Sequence, residues 1–335
     1  MKLPLVSGAF TMHGLFIASA LATAVFLSLI YYKKHEKNET VLLRIAPLAI
    51  FFGFAGARLM YVTVCDSLYI EEAEKWRLLD GGYALFGAFY AAALTVVVFC
   101  IAANKKEKMI GIFDAMSFSA PAAIAIGRMG SVFSEDCLGE TVENEKLRFF
   151  PVALYSNTYG EYQYAVFFYE AVYCVLAFLF IAYVCKKVKK PGAATYLFTV
   201  LYCGGRSFFE TLRTDSIYVA FVRISQVMAV LTLIGVFVVM CVKLAKKTGF
   251  KKRYLIVYTV FAGSFALAFV SEFFMGSESR FGNTLTVFVC CVVMTVTALY
   301  TGYEYLNASK AAERKAKKKP QKKPSKKAKR LINGR

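Results

Sequence analysis

The sequence predicts an all-α polytopic membrane protein, a helical bundle with about nine transmembrane helices. Hydrophobic residues make up 58% of the 335 residues, the mean hydropathy is +0.51, and the apolar residues are gathered in long runs. A hydrocarbon core about 30 Å thick requires about 20 apolar residues per helix. Nine such runs are present, at 9–32, 42–64, 83–103, 109–133, 165–184, 194–212, 221–242, 254–275 and 285–306, and the sixth is the least apolar.

The loops between these runs alternate in charge. Basic residues follow the first, third, fifth and seventh runs, at 33–37, 105–108, 186–190 and 243–253. Acidic residues gather in the intervening loops, at 66–80 and 135–145. Because basic loops remain in the cytoplasm, we expect the N-terminus outside and the C-terminus inside, which agrees with an odd number of spans.

The formal net charge of +19 does not indicate a nucleic-acid-binding protein, because 13 of the 41 Lys and Arg lie from Lys310 onward and most others lie in the loops. Residues 310–335 are rich in Lys, Ala and Pro, so we expect a disordered tail that contacts anionic lipids of the inner leaflet. A ribosome or nucleic-acid contact is the lesser alternative. Nine Cys without a CxxC spacing and two His predict no metal site.

Three arginines with glycine close by lie within the runs, towards the ends that the charge pattern places outside. They are Arg58 in the second run, Arg128 in the fourth and Arg206 in the sixth, each with glycine close by in sequence. A guanidinium stays charged when buried, and its planar fork matches phosphate oxygens. The pattern therefore favours a cavity for the phosphate of an outer-leaflet phospholipid. Separate contacts with headgroups and a structural Arg–Glu network are the alternatives.

Further polar residues lie at the same depth. Glu210 follows Arg206 by four residues and shares its helix face, and Arg213 follows at the end of that run. Glu170 opens the fifth run, and His13 lies early in the first.

These motifs, in this order, resemble the prolipoprotein diacylglyceryl transferase family over residues 12–242. Residues 127–139 resemble its signature Gly-Arg-x-Gly-Asn-Phe-x-Asn-x-Glu-x-x-Gly, and residues 205–213 resemble its Arg-x-x-x-Glu-x-x-Arg motif. Residues 56–59 resemble its second-helix motif, and residues 80–87 resemble its Gly-Gly-x-x-x-His-Gly element. Residues 150–154, together with Glu170, resemble the loop before its fifth helix.

The resemblance implies a seven-helix transferase core at 1–245, followed by two additional helices at 246–308 and the tail at 309–335. It implies transfer of diacylglyceryl from phosphatidylglycerol to the lipobox cysteine of a prolipoprotein, with formation of a thioether and release of glycerol phosphate. No cofactor is expected. The expected partners are phosphatidylglycerol, the prolipoprotein signal peptide and the bacterial plasma membrane.

The resemblance also implies roles for individual residues. Arg128 and Arg206 would hold the headgroup phosphate, Glu210 would orient Arg206, Arg58 would lie nearby, and Glu170 would support the packing. The other residues expected to line the substrate site are Gly127, Gly130, Ser131, Ser134, Gly139 and Arg213.

Several positions depart from the family pattern. Phe86 stands at the family's His, Ser131 and Ser134 stand at its Asn residues, Asp136 at its Glu, and His13 at its first-helix Tyr. The proton acceptor is therefore open between Asp136, His13 and direct attack by a thiolate. A non-catalytic or altered-specificity phospholipid-binding paralogue is the main alternative. A transporter or channel is less favoured, because the charges gather on one side and no inverted repeat is evident.

Overall fold

The computed structural model describes residues 11–35, 39–65, 82–219, 222–249, 251–273 and 280–318. The helices in these ranges are α1 Met12–His35, α2 Thr40–Val64, α3 Leu85–Ala102, α4 Met109–Met129, α5 Ser131–Ser134, α6 Val166–Lys187, α7 Ala193–Leu212, α8 Ile224–Thr248, α9 Lys252–Phe273 and α10 Arg280–Lys318. Two antiparallel hairpins join β1 Ala153–Ser156 to β2 Glu161–Tyr164 and β3 Tyr218–Val219 to β4 Val222–Arg223.

The predicted all-α membrane bundle is confirmed. Each of the nine apolar runs coincides with a long helix, and eight helices in the described ranges are long and apolar enough to cross a membrane. The remaining long helix is α7, the predicted sixth span, which carries Arg206 and Glu210 and has both of them buried. Its polar side chains face other helices, so the neighbouring helices rather than lipid surround its charged face.

The two largest clusters of buried side chains each join several helices of the bundle. The larger one joins α3, α4, α6, α7 and α8 to α9 and α10, and the smaller one joins α1, α2, α3 and α4. Helices in lipid associate through close packing of small residues rather than through hydrophobic burial. Gly56 on α2 and Gly87 on α3 show this, because a Cβ at Gly56 would lie 2.8 Å from the Gly87 carbonyl oxygen.

Helices α9 and α10 pack against α7 and α8 as part of the same bundle. A Cβ at Gly204 of α7 would lie 2.0 Å from Thr295 Oγ1 of α10, so the two backbones are in close contact there. Near the other end of α7, the Tyr196 hydroxyl donates to the Ala298 carbonyl at 2.5 Å. The C-terminal helices therefore pack directly on the helix that carries Arg206.

Helix α10 continues through Lys318, so residues 309–318, which composition places in a disordered tail, are helical. Ala, Lys, Glu and Arg are strong helix formers, and tertiary contacts add to their propensity. Lys247 Nζ donates to Ser309 Oγ at 2.5 Å, and Lys190 pairs with Glu313 at 3.5 Å. The rest of the tail and the acidic residues at 66–80 lie outside the described residues.

Candidate functional site

One buried carboxylate joins three helices. Glu170 Oε2 of α6 accepts from Arg128 Nε of α4 at 3.0 Å and from Arg206 Nη1 of α7 at 2.9 Å. Arg206 Nη2 also pairs with Glu210 Oε2, one helical turn further on, at 2.7 Å. The Glu170 and Glu210 side chains are 1% exposed and that of Arg206 is 5% exposed. The predicted grouping of Arg128, Arg206, Glu170 and Glu210 is what the structure shows.

The network closes into a ring through the loops that follow α5 and α7. Arg213 Nη1 lies 3.4 Å from Glu210 Oε2, and its Nε and Nη2 donate to the two oxygens of Asp215 at 2.9 Å each. Asp215 Oδ2 accepts from the Cys137 backbone N–H at 2.9 Å, and Cys137 Sγ accepts from Arg128 Nη1 at 2.8 Å. We call these seven residues (Arg128, Cys137, Glu170, Arg206, Glu210, Arg213 and Asp215) the charged ring.

The charged ring contains three arginines and three carboxylates, so its formal charge is zero. Burial favours the protonated form of Asp215, but the bonds from Arg213 and the Cys137 amide bring its pKa below the ordinary value. Burial raises the pKa of the Cys137 thiol despite the opposing effect of Arg128 and Arg213. Cys137 is therefore a neutral acceptor beside Arg128. Sequence reasoning did not include Cys137 or Asp215.

The chain direction at Cys137 depends on two residues with left-handed backbone conformations, Glu135 at φ 57° and Cys137 at φ 60°. Such conformations are strained for residues other than glycine. The Glu135 carboxylate stabilises its turn by accepting bonds of 2.6–3.1 Å from Ser156, Asn157 and Thr158 of the hairpin. Partial burial favours the protonated form, yet these bonds lower the pKa of Glu135 to about 2.

Asp136, which aligns with the signature glutamate, is exposed on this loop. The backbone turn directs Cys137, and not Asp136, towards Arg128. This position does not suit the catalytic role predicted for Asp136.

Three residues of the signature, Gly127, Gly130 and Ser134, contact α1. A Cβ at Gly130 would lie 2.7 Å from Phe16 Cβ and 3.3 Å from His13 Nδ1, so this glycine admits α1 rather than a ligand at the guanidinium. Gly127 faces α1 as well, with the Ile17 side chain 3.6 Å from a Cβ placed there. Ser134 Oγ lies 3.2 Å from His13 Nδ1.

Three further predicted site residues are fixed by packing. Ser131 is 3% exposed. A Cβ at Gly139 would lie 2.9 Å from Val166 Cγ2 and 3.1 Å from the Leu212 carbonyl oxygen, so the loop passes close to both helix ends. Arg58 is buried and donates to the Gly82 carbonyl at 3.2 Å, which places it against the loop before α3.

Phe86, at the position of the family's His, is 4% exposed and packs against Tyr202 with ring centroids 6.3 Å apart. Tyr202 precedes Arg206 by one helical turn and is 4% exposed. The Tyr202 hydroxyl has no hydrogen-bond partner in the described part of the chain, and the same is true of Glu170 Oε1. The sequence signal for Tyr202 was its i−4 spacing from Arg206, which puts both side chains on one face of α7.

An apolar groove opens between α4 and α6 beside the charged ring. Its volume is about 320 Å³, and only apolar surface lines it. Its lining includes Ala125, Ile126 and Met129 of α4 and Phe168, Ala171 and Val175 of α6. These residues flank Arg128 and Glu170 in sequence, and the Arg128 side chain is 15% exposed. The groove lies on the lateral surface of the bundle, and neither Arg128 nor Glu170 is among its lining residues.

The model of the prolipoprotein diacylglyceryl transferase family matches residues 3–242, which is most of the chain. This chain belongs to the prolipoprotein diacylglyceryl transferase family. The resemblance predicted from the motifs at 12–242 is thereby confirmed, and α9 and α10 lie beyond the matched residues.

Curated relatives of the family align with the same core. The phosphatidylglycerol–prolipoprotein diacylglyceryl transferase of Clostridium botulinum strain Langeland is 29% identical over 228 residues, 66% of this chain and 88% of the relative. Transferase 1 of Clostridium perfringens is 28% identical over 248 residues, 72% of this chain and 92% of the relative. The transferase of Ligilactobacillus salivarius is 29% identical over 233 residues, 67% of this chain and 85% of the relative.

Proposed function

We propose that this membrane protein transfers the diacylglyceryl group of phosphatidylglycerol to the lipobox cysteine thiol of a prolipoprotein. The products are a thioether-linked lipoprotein precursor and glycerol phosphate. The observation that carries the proposal is the charged ring, in which carboxylates hold Arg128 and Arg206 in place beside a lateral apolar groove. Family membership makes a non-catalytic paralogue the less favoured alternative.

The arginines stabilise the leaving group. The thiol sulfur attacks the glycerol carbon that bears the phosphate ester, and the electron pair of the breaking C–O bond goes to phosphate. The phosphate then changes from a singly charged diester to a monoester with close to two negative charges at neutral pH. Guanidinium groups already oriented by Glu170 and Glu210 stabilise this growing charge without reorganising. We assign Arg128 and Arg206 to this role.

The thiol must also lose its proton. Phe86 has no group that accepts one, and the exposed position of Asp136 leaves His13 and direct attack by the thiolate as the two routes. A free cysteine has a pKa near 8.5, and cations nearby lower it towards neutrality. The second route therefore depends on the arginines as well, since they favour a thiolate close to the phosphate.

Both substrates are membrane-bound, so we propose that they enter from the plane of the bilayer. The groove between α4 and α6 supports lateral entry, because it is apolar and its lining includes Met129 and Ala171, the sequence neighbours of Arg128 and Glu170. The charged ring would lie in the outer half of the membrane, with the N-terminus outside and the C-terminus in the cytoplasm. The alternating loop charges support this orientation.

The test is complementation of a bacterial strain depleted of its own transferase, with lipidation of a lipoprotein followed on a gel. We expect lipidation by the wild-type chain and a loss of at least about 100-fold for Arg128→Ala and Arg206→Ala, the size expected when a charge-stabilising donor is removed. Arg148→Ala is the matched control, because Arg148 lies on the loop before β1 and, among the described residues, its bonds go to the Val142 and Glu143 carbonyls and to Glu145. Wild-type lipidation by both ring variants, at equal membrane levels, would contradict the assignment.

A further inference from the structure

Two oxygen atoms, one in the charged ring and one next to it, are buried and have no hydrogen-bond partner in the described part of the chain. Glu170 uses Oε2 for both arginines, while its Oε1 has no hydrogen-bond partner among the described residues. The Tyr202 hydroxyl also has no hydrogen-bond partner among the described residues. Glu170 is 1% exposed and Tyr202 is 4% exposed. Buried polar atoms are nearly always paired, so two such atoms at one site require an explanation.

The two atoms belong to one site. Tyr202 lies one turn before Arg206 on α7, and Arg206 binds the other oxygen of Glu170 at 2.9 Å. Arg128 binds the same oxygen of Glu170, at 3.0 Å. The unpaired acceptor and the unpaired hydroxyl therefore adjoin the two arginines that we assign to the phosphate.

We propose that Glu170 Oε1 and the Tyr202 hydroxyl form a subsite for the hydroxyl groups of a phosphorylated glycerol, and that this subsite selects phosphatidylglycerol as the lipid donor. The inference rests on the proposed function and goes beyond it by naming the residues that recognise the headgroup. A carboxylate oxygen between two arginines is ionised and needs a donor, and a phenol can both donate and accept. The headgroup glycerol supplies hydroxyls attached to the phosphate itself.

Other donors fit this place less well. The lipobox thiol attacks carbon from the side opposite the departing phosphate, so it does not share the space beyond the phosphate. An ammonium headgroup could donate to Glu170 Oε1, but it has no lone pair to accept a hydrogen bond from the Tyr202 hydroxyl, whereas a glycerol hydroxyl both donates and accepts. The diacylglyceryl part carries esters, which do not donate hydrogen bonds.

The first experiment compares donors with the full-length wild-type protein in liposomes, with a lipobox peptide as acceptor. The donors are phosphatidylglycerol and phosphatidylpropanol, which has the same charge and chain length but no headgroup hydroxyl. We expect kcat/KM to be about 10-fold or more higher for phosphatidylglycerol, since a hydrogen bond to a charged group contributes at least that factor. Equal values for the two donors would overturn the subsite. This comparison does not depend on the folding of any variant.

The second experiment assigns the preference to a residue. Tyr202→Phe should lower kcat/KM for phosphatidylglycerol about 3- to 10-fold and leave that for phosphatidylpropanol unchanged. The matched control is Tyr196→Phe on the same helix, whose hydroxyl bonds the Ala298 carbonyl, and it should keep the wild-type ratio. An equal loss with both donors would mean that Tyr202 acts in packing or chemistry, and would overturn its place in the subsite.

Released glycerol phosphate carries the same phosphate and hydroxyl groups as the lipid headgroup. A third measurement therefore distinguishes binding of the lipid donor from binding of this product. Competition by glycerol phosphate and by propyl phosphate reports binding of the free product. Discrimination between the two donors supports the proposal, while discrimination between these two inhibitors alone would limit the residues to product binding and overturn donor selection. Absence of turnover with either donor would instead contradict the proposed function, and the subsite with it.

Discussion

Glu170→Gln is the most informative single change, because it removes a charge and keeps the shape. Glu170 Oε2 makes two charge-assisted bonds, to Arg128 and Arg206, and each such bond contributes about 1.5–3 kcal/mol. The amide oxygen of glutamine retains a neutral bond worth about 1 kcal/mol. The expected loss is therefore about 2–5 kcal/mol, close to the range of about 3–5 kcal/mol for breaking a buried ion pair.

The loss is measured as a change in the free energy of unfolding, by denaturant titration of purified protein in detergent micelles. Glu145→Gln is the control, because the Glu145 side chain is 89% exposed and its ion pair with Arg148 spans 3.8 Å. Exposed pairs of this kind contribute about 0–1 kcal/mol. If Glu170→Gln were as stable as the control variant, Glu170 would not hold the three helices together, and the argument that it preorganises Arg128 and Arg206 would fail.

Three further predictions concern the turn and the helix contacts. Because the folded pKa of Glu135 is depressed, its stabilising effect is complete above about pH 4.5 and is lost as the pH falls towards about 2; hydrogen exchange of the hairpin amides should show this loss in the wild type and not in Glu135→Gln. Gly56→Ala should destabilise the protein by about 1–3 kcal/mol in the same denaturant titration, while Gly235→Ala, where the added Cβ meets no atom of the described residues within 4 Å, should be neutral or slightly stabilising. Gly204→Ala should reduce lipidation by displacing α7 from α10, and Thr295→Ala should partly restore it; failure of the second change to restore activity would argue against that contact as the cause.

Much of the fold could be predicted because each membrane-spanning helix corresponds to a long apolar run in the sequence. The least certain run proved to be α7, which is set apart for a physical reason. Arg206 and Glu210 lower its hydropathy, yet they face neighbouring helices and each other rather than lipid. Hydropathy averages a helix over all its faces, so it underestimates a helix whose polar residues share one buried face.

The closure of the site could not be predicted, because it depends on backbone turns between helices. The signature predicts that Asp136 faces the site, but the left-handed conformations at Glu135 and Cys137 turn the chain so that Cys137 faces it instead. Asp136 is exposed, while Cys137 reaches Arg128 and its amide binds Asp215. Spacing identifies neighbours within one helix, as it did for Arg206 and Glu210, but it does not identify partners that are 78 positions apart.

The arginines were open to two explanations, a phosphate site or a structural Arg–Glu network, and the structure makes the two compatible. All three arginines of the charged ring have carboxylate partners, so their charges are balanced before any lipid binds. A neutral ring does not attract a phosphate strongly, and this is an advantage for catalysis, because tight binding of the singly charged donor would stabilise the ground state as much as the transition state. In the proposed reaction, the phosphate gains charge as the C–O bond breaks and then competes better with Glu170 for the same guanidinium groups. The attraction between the arginines and the phosphate therefore strengthens along the reaction. The paired carboxylates cause this, because they weaken binding of the singly charged donor more than binding of the departing phosphate.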